Sequence, residues 1–164
     1  MNLNSLEPPY VYLGIGSPKE FADYAYKLNH ELRSEFAVRV VRGIKMRRLD
    51  GLYDEFAAAL QFPDYFGENW AAFDECLADL EWLPARGYVL LISNAVELLS
   101  EEPEKQFTTF VRILSEICAE WSRAQTPKPF HALLQCSESD VENLRKRAQV
   151  PLAAVPISQL SVDG

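Results

Sequence analysis

Between positions 50 and 120 this chain holds fifteen carboxylates against three cations, Arg86, Lys105 and Arg112. Carboxylates at close spacing suit two kinds of chemistry. They can pass protons as an acid–base pair in hydrolysis, or they can meet the cations of a basic partner. Asp74, Glu75 and Asp79 fall in one predicted helix, Glu116 and Glu120 in a later one. Consecutive helical residues point about 100° apart, so Asp74 and Glu75 do not converge on one bond. No nucleophile–base pair stands beside them either. The acids therefore read as counter-charges, and the chain is expected to have no catalytic residue.

Other chemistries lack their residues. The two histidines, His30 and His131, each stand alone, which leaves little for a metal centre or a nucleophilic triad. Cys76, Cys118 and Cys136 are odd in number and widely spaced; they fit neither a disulfide framework nor a zinc signature and suit a reducing cytoplasm. Gly14 and Gly16 lack the third glycine or the lysine of a phosphate loop. No metal and no cofactor is expected. No apolar run approaches the ~20 residues of a membrane span, and residues 1–10 do not have the layout of a secretory signal. A cytoplasmic protein is the expectation.

The formal charge of −8 is unevenly placed: residues 1–49 carry +3, residues 50–120 carry −12 and residues 121–164 carry +1. Such a field repels nucleic acid and anionic membrane and attracts a basic protein. Arg39, Arg42, Lys45, Arg47 and Arg48 form a basic cluster, but no aromatic residue is interleaved for base stacking. They are expected to pair internally with the acids or to form a solvated edge.

The elements that must position these groups follow from periodicity. Residues 10–15 read as a strand, and Ser17 with Pro18 starts a helix bearing Phe21, Tyr24, Leu28 and Leu32. Residues 37–42 form a second strand. Asp50 is expected to cap a helix that Phe62-Pro63 stops. After the loop 65–69, Asn69 caps a helix with Phe73, Cys76, Leu77 and Leu80 on its inner stripe; Glu75 points nearly opposite, among Ala71, Ala72 and Ala78. Small residues beside acids suit a surface that another molecule approaches closely. A strand at 88–92, a helix over 107–121 with Glu116 outward, a strand at 130–136, a charged helix at 139–148 and a last strand near 152–157 complete the chain. This order predicts an α/β fold with a mostly parallel sheet. The strands around Val40, Leu90 and Leu133 read as buried on both faces, Trp82, Trp121, Cys76 and Cys118 as packing residues, and His131 as a core histidine.

The run Phe62-Pro63-Asp64-Tyr65-Phe66-Gly67-Glu68-Asn69-Trp70 and the Glu75-Cys76-Leu77 that follows it resemble the signature of the barstar family of ribonuclease inhibitors. The resemblance covers residues 37–137. It implies a three-stranded, mostly parallel barstar-like core, extended by a strand–helix unit at 1–36 and a helix–strand unit at 138–164, the whole forming one domain. It further implies an immunity protein that fills the cationic active site of a ribonuclease toxin. Tyr65, Gly67 and Asn69 fall on the contacting loop, and Tyr65 and Trp70 would be aromatic anchors. Glu75 falls on the acid that enters the catalytic pocket, with Asp74 beside it, and Glu116 on a supporting acid. Two positions depart from the family. Ala71 stands where an aspartate is frequent, and Asp74 where barstar itself has a tryptophan. These departures point to a partner other than the familiar guanyl-preferring nuclease, or to a toxin of another kind.

Overall fold

Every strand arises where β-branched and apolar residues run together, and every helix where the apolar period lengthens to three and four. In the computed structural model, which describes residues 1–162, the elements are β1 (Val11–Ile15), α1 (Pro18–Leu32), β2 (Phe36–Arg42), α2 (Leu49–Leu60), α3 (Trp70–Asp79), β3 (Gly87–Ser93), α4 (Glu104–Arg123), β4 (Phe130–Cys136), α5 (Val141–Ala148) and β5 (Ala153–Pro156). The last two residues of the 138–164 extension lie outside the described residues.

All five strands join one parallel sheet in the order β2-β3-β4-β1-β5. The three strands expected from the resemblance, β2, β3 and β4, are thus continued by β1, which pairs with β4, and β5, which pairs with β1. Alternate strand residues face opposite layers. Leu90, Ile92, Ala132 and Leu134 pack in a core with α2, α3, α4 and α5, whereas Val89, Leu91 and Leu133 pack in a second core with α1, Leu3 and Ile157.

Two local expectations change. The strand around Val40 is an edge, not a buried strand, and Val40 is exposed. An apolar run does not encode whether a second neighbour arrives. The edge is guarded by its own charges: Glu55 accepts from the Arg42 amide at 3.1 Å and from its guanidinium, and the Arg39 guanidinium donates to the Val38 carbonyl. Asp50 does not cap α2; it lies inside the first turn, and Arg48 occupies the cap position without a side-chain bond. The free Leu49 amide instead donates to Glu102, 53 residues away, at 3.0 Å. As expected, α2 ends just ahead of Phe62-Pro63: Leu60 is its last residue, and Gln61 after it turns left-handed with φ 53°.

The link between Leu49 and Glu102 belongs to a seam that holds α2 against the approach to α4. Leu99 donates to the Met46 carbonyl at 2.7 Å and Glu101 to that of Arg47 at 3.0 Å, while Arg47 pairs with Glu97. From the C-terminal unit, the Arg147 guanidinium lies 4.2 Å from the Phe107 ring centroid and donates to the carbonyls of Val96 and Leu98. The basic cluster is thus partly spent on internal pairs, as expected. Removing the borrowed cap, Glu102→Ala, is expected to lower stability by about 1 kcal/mol. A urea midpoint shift at unchanged m-value measures it, and an unshifted midpoint would show that the cap contributes nothing.

Candidate partner-binding face

The loop between α2 and α3 is built by alternating burial. Phe62 and Phe66 turn inward, their rings 4.9 Å apart and edge-on, and Phe66 also meets Tyr53 at 5.7 Å. Tyr65, between them in the turn closed by the Phe66 amide on the Pro63 carbonyl, is left 78% exposed. Its outward position follows from its neighbours' burial, since it cannot share their side of the turn.

Asn69 fastens this loop to the helix from both ends of its amide. Its Oδ1 accepts from the Ala72 amide at 2.9 Å, the expected N-cap, and its Nδ2 donates to the Gly67 carbonyl at 3.0 Å. That second bond explains the glycine. A Cβ on Gly67 would stand 3.1 Å from Asn69 Nδ2. Left-handed backbone falls instead on Glu68, with φ 49°, a conformation that disfavours a side-chain-bearing residue by roughly 1–2 kcal/mol.

On α3, Phe73, Cys76 and Leu77 are buried, and Asp74, Glu75 and Asp79 are exposed. Glu75 and Asp79, one turn apart, border a hollow of about 310 Å³ whose other walls are Tyr65, Phe66, Cys76 and Trp82, with Ala72 leaving room at its side. Among the described residues neither carboxylate joins an ion pair. Trp70 is half-buried, its ring edge-on to Tyr53 and Phe73 and its Nε1 donating to Gln106 at 2.8 Å. It walls a second hollow on the other side of the loop, with Glu68 and Asn69. The Gln106 contact has no local sequence signal, because it joins residues 36 positions apart.

Packing of α3 on α4 brings Asp74 within electrostatic reach of Glu116. Partial burial raises the Asp74 carboxyl above the ordinary carboxylate range; Glu116 and Glu75 push in the same direction, and Arg112 opposes them. Glu116 is held by Arg112 at 2.9 Å, an i,i+4 pair readable from spacing although the sequence reading left Arg112 only beside the acids. The face therefore has two parts: uncompensated carboxylates at Glu75 and Asp79, and a partly neutralised cluster at Asp74, Glu116 and Arg112. No group of three or more His, Cys, Asp or Glu side chains with metal-binding geometry occurs among the described residues.

A second place in the fold where ligands collect is the crevice at the carboxyl ends of adjacent parallel strands whose following helices lie on opposite faces. Here that is the gap between β1 and β4, lined by Gly16, Ser17, Gln135 and Ser137. Both of its helical starts are self-capped, by Glu20 at Ser17 and Asp140 at Ser137, so acids already occupy the donors that an anion would use. The acidic face carries the stronger indication of a partner.

A family profile described as Barstar (barnase inhibitor) matches residues 36–135. No curated protein matches the chain. Among solved structures, a chain of the Drosophila ORC bound to AT-rich DNA and Cdc6 is similar at 14% identity and TM-score 0.48, covering 94% of this chain and 53% of that one. A chain of the Drosophila ORC bound to GC-rich DNA and Cdc6 is similar at 13% identity and TM-score 0.46, covering 91% and 51%. This chain spans about half the length of those two.

Two expectations follow from the geometry. Asn69→Ala should lower stability by about 1 kcal/mol, and Asn69→Asp by less, since aspartate keeps the cap acceptor and loses only the Gly67 tether; equal losses in thermal unfolding would contradict the two-ended role. Asp74→Asn should raise the melting temperature at pH 7. A carboxyl whose folded pKa is raised opposes folding while ionised in both states, and that penalty vanishes below the ordinary value of 3.8. The variant's advantage should accordingly disappear near pH 3, and an advantage that persisted there would have another cause.

Proposed function

The chain belongs to the barstar family, whose members are ribonuclease inhibitors, and on that premise we propose that it is a non-enzymatic immunity protein blocking the cationic active site of a ribonuclease toxin in the cytoplasm. The observation that carries this reading is the hollow bounded by Tyr65, Glu75 and Asp79: two unpaired carboxylates on a rigid helix, beside an exposed aromatic ring on a fastened loop. A nuclease must concentrate Lys, Arg and His where phosphate charge develops. Carboxylates presented in the same geometry compete for those groups, and the −12 segment accelerates the encounter.

Within this reading Glu75 enters the cationic pocket and Tyr65 packs against its rim. Asn69 and Gly67 hold the loop in the conformation that the partner meets, and Trp70 backs it from the core side. Asp74 and Glu116 meet a second cation, which has to compete with Arg112 for Glu116. Ala71 withdraws a charge from the start of the helix and Asp74 adds one a turn later. That displacement favours a basic toxin whose cations are arranged differently from those of a guanyl-preferring secreted nuclease, and a toxin that is not a ribonuclease remains the second reading.

Glu75→Ala is expected to weaken binding of the basic partner by about 2 kcal/mol or more, roughly thirtyfold in Kd, because pocket cations are left buried and unpaired. Asp79→Ala, at the end of the helix, should cost less. Calorimetry that returned the same Kd for wild type and Glu75→Ala would remove this helix from the interface.

A further inference from the structure

Residues 1–9 lie across one end of the sheet as a strap with few attachments. Leu3 is 1% exposed and completes the α1-side core, whereas Asn2, Asn4 and residues 6–9 are exposed. The Ser5 carbonyl meets His131 Nε2 at 3.1 Å, and the Tyr10 hydroxyl reaches the Leu6 carbonyl and Ser122 Oγ, each at 3.0 Å. The strap is therefore anchored by one apolar plug and a small number of polar contacts, the profile of a segment that opens locally at low free energy.

The contact to His131 is chemically unusual. His131 is wholly buried on β4, on the same side of the sheet as Leu133. A carbonyl can only accept, so Nε2 carries the proton of the neutral ring and Nδ1 is a bare lone pair. That Nδ1 is buried and has no hydrogen-bond partner. Around the ring stand Tyr10, just ahead of β1, and Tyr12 of β1, with centroids 6.2 and 6.4 Å away, and Val89 of β3 in register, with the Met1 amino group within electrostatic reach. No carboxylate acts on it among the described residues. The nearby phenols of Tyr12 and, on α1, Tyr24 are raised by burial and stay neutral through the acid range.

We propose that the strap is an acid-released latch: when His131 takes a proton at Nδ1, residues 1–9 leave the sheet, the imidazolium is hydrated and the α1-side core beneath Leu3 is uncovered. The step is a proton transfer from hydronium to the Nδ1 lone pair, which receives no hydrogen bond in the closed form; water is the other product. Burial, the largest influence, and the Met1 amino group hold the closed ring's pKa below the ordinary 6.5, against the Ser5 and Tyr10 carbonyls. A histidine with a lowered closed-state pKa favours the closed form fully above the open-state value. It gives up that preference as pH falls from about 6.5 toward the closed-state value. The latch lies in the α1 layer and the acidic face in the layer of α3 and α4, so the latch can be read without any partner.

Hydrogen exchange of the strap peptide, followed by mass spectrometry on the whole chain, tests this. Between pH 7.5 and 5.5, after correction for intrinsic exchange, strap protection should fall by up to about tenfold, the factor by which proton uptake at a pKa near 6.5 favours the open form. Protection in α4 should not change. His131→Gln, which can still donate to Ser5 but does not titrate, should abolish the dependence; His30→Gln, at the exposed histidine stacked on Tyr26, should leave it intact. If His131→Gln does not fold, an NMR titration of His131 in the wild type replaces it, and its midpoint should coincide with strap opening. A strap equally protected at both pH values, a dependence retained in His131→Gln, separate midpoints, or opening that occurs only with loss of α4 protection would each overturn the latch.

Discussion

The candidate partner-binding face rests on the burial of one ring, Phe73. Its side chain is wholly excluded from solvent and stands 5.0 Å from Phe56, 5.6 Å from Trp70, 6.2 Å from Phe62, and 6.3 Å from both Tyr53 and Phe110, measured between ring centroids. These rings come from α2, the loop, α3 and α4. They meet edge-on or tilted, as aromatic quadrupoles prefer, each pair worth up to about 1.5 kcal/mol beyond its area. Together they weld three helices and a loop into one unit. The outward residues of that unit, Tyr65, Glu75 and Asp79, are thereby placed before any partner arrives, which reduces the entropy lost on association.

Charge works against this arrangement. Asp74, Glu75 and Glu116 share one surface, and the Asp74 carboxyl is raised first by its partial burial and then by those neighbouring carboxylates. The fold answers with Arg112 on Glu116, while Glu68 accepts left-handed backbone in the loop. Neither the crowding of Asp74 nor the left-handed Glu68 helps the isolated chain to fold. Both become intelligible if the surface is shaped for a cation-rich partner, since the groups that repel one another in the free protein are those that such a partner would satisfy.

Much of this was legible in the sequence where the determinant is local. Ser17-Pro18 spelled a helix start, which Glu20 completes as a capping box, and Asn69 spelled the N-cap of α3. The outward placement of Glu75 and Asp79 followed from helical spacing alone. Where the determinant is distant, sequence was mute. Asp50 fitted the pattern of a cap, yet the acceptor is Glu102, from another segment of the chain. The run around Val40 has the composition of a central strand, and only the order β2-β3-β4-β1-β5 makes it an edge. Nothing local in the sequence places the Trp70 Nε1 on Gln106, 36 positions away. The 1–9 strap had no periodicity to announce it, since its attachments are one apolar plug, Leu3, and a few polar contacts such as the Ser5 carbonyl on His131.

The central claim is that the acidic face silences a nuclease by occupying its active site, and the most direct measurement is RNA cleavage by the basic partner isolated with this chain from the same cell. Titrating that partner with the chain should drive cleavage to background at one equivalent, with the inhibited complex unable to bind RNA. A tight one-to-one complex that still cleaves RNA at the free partner's rate, or a partner with no action on RNA at all, would contradict it.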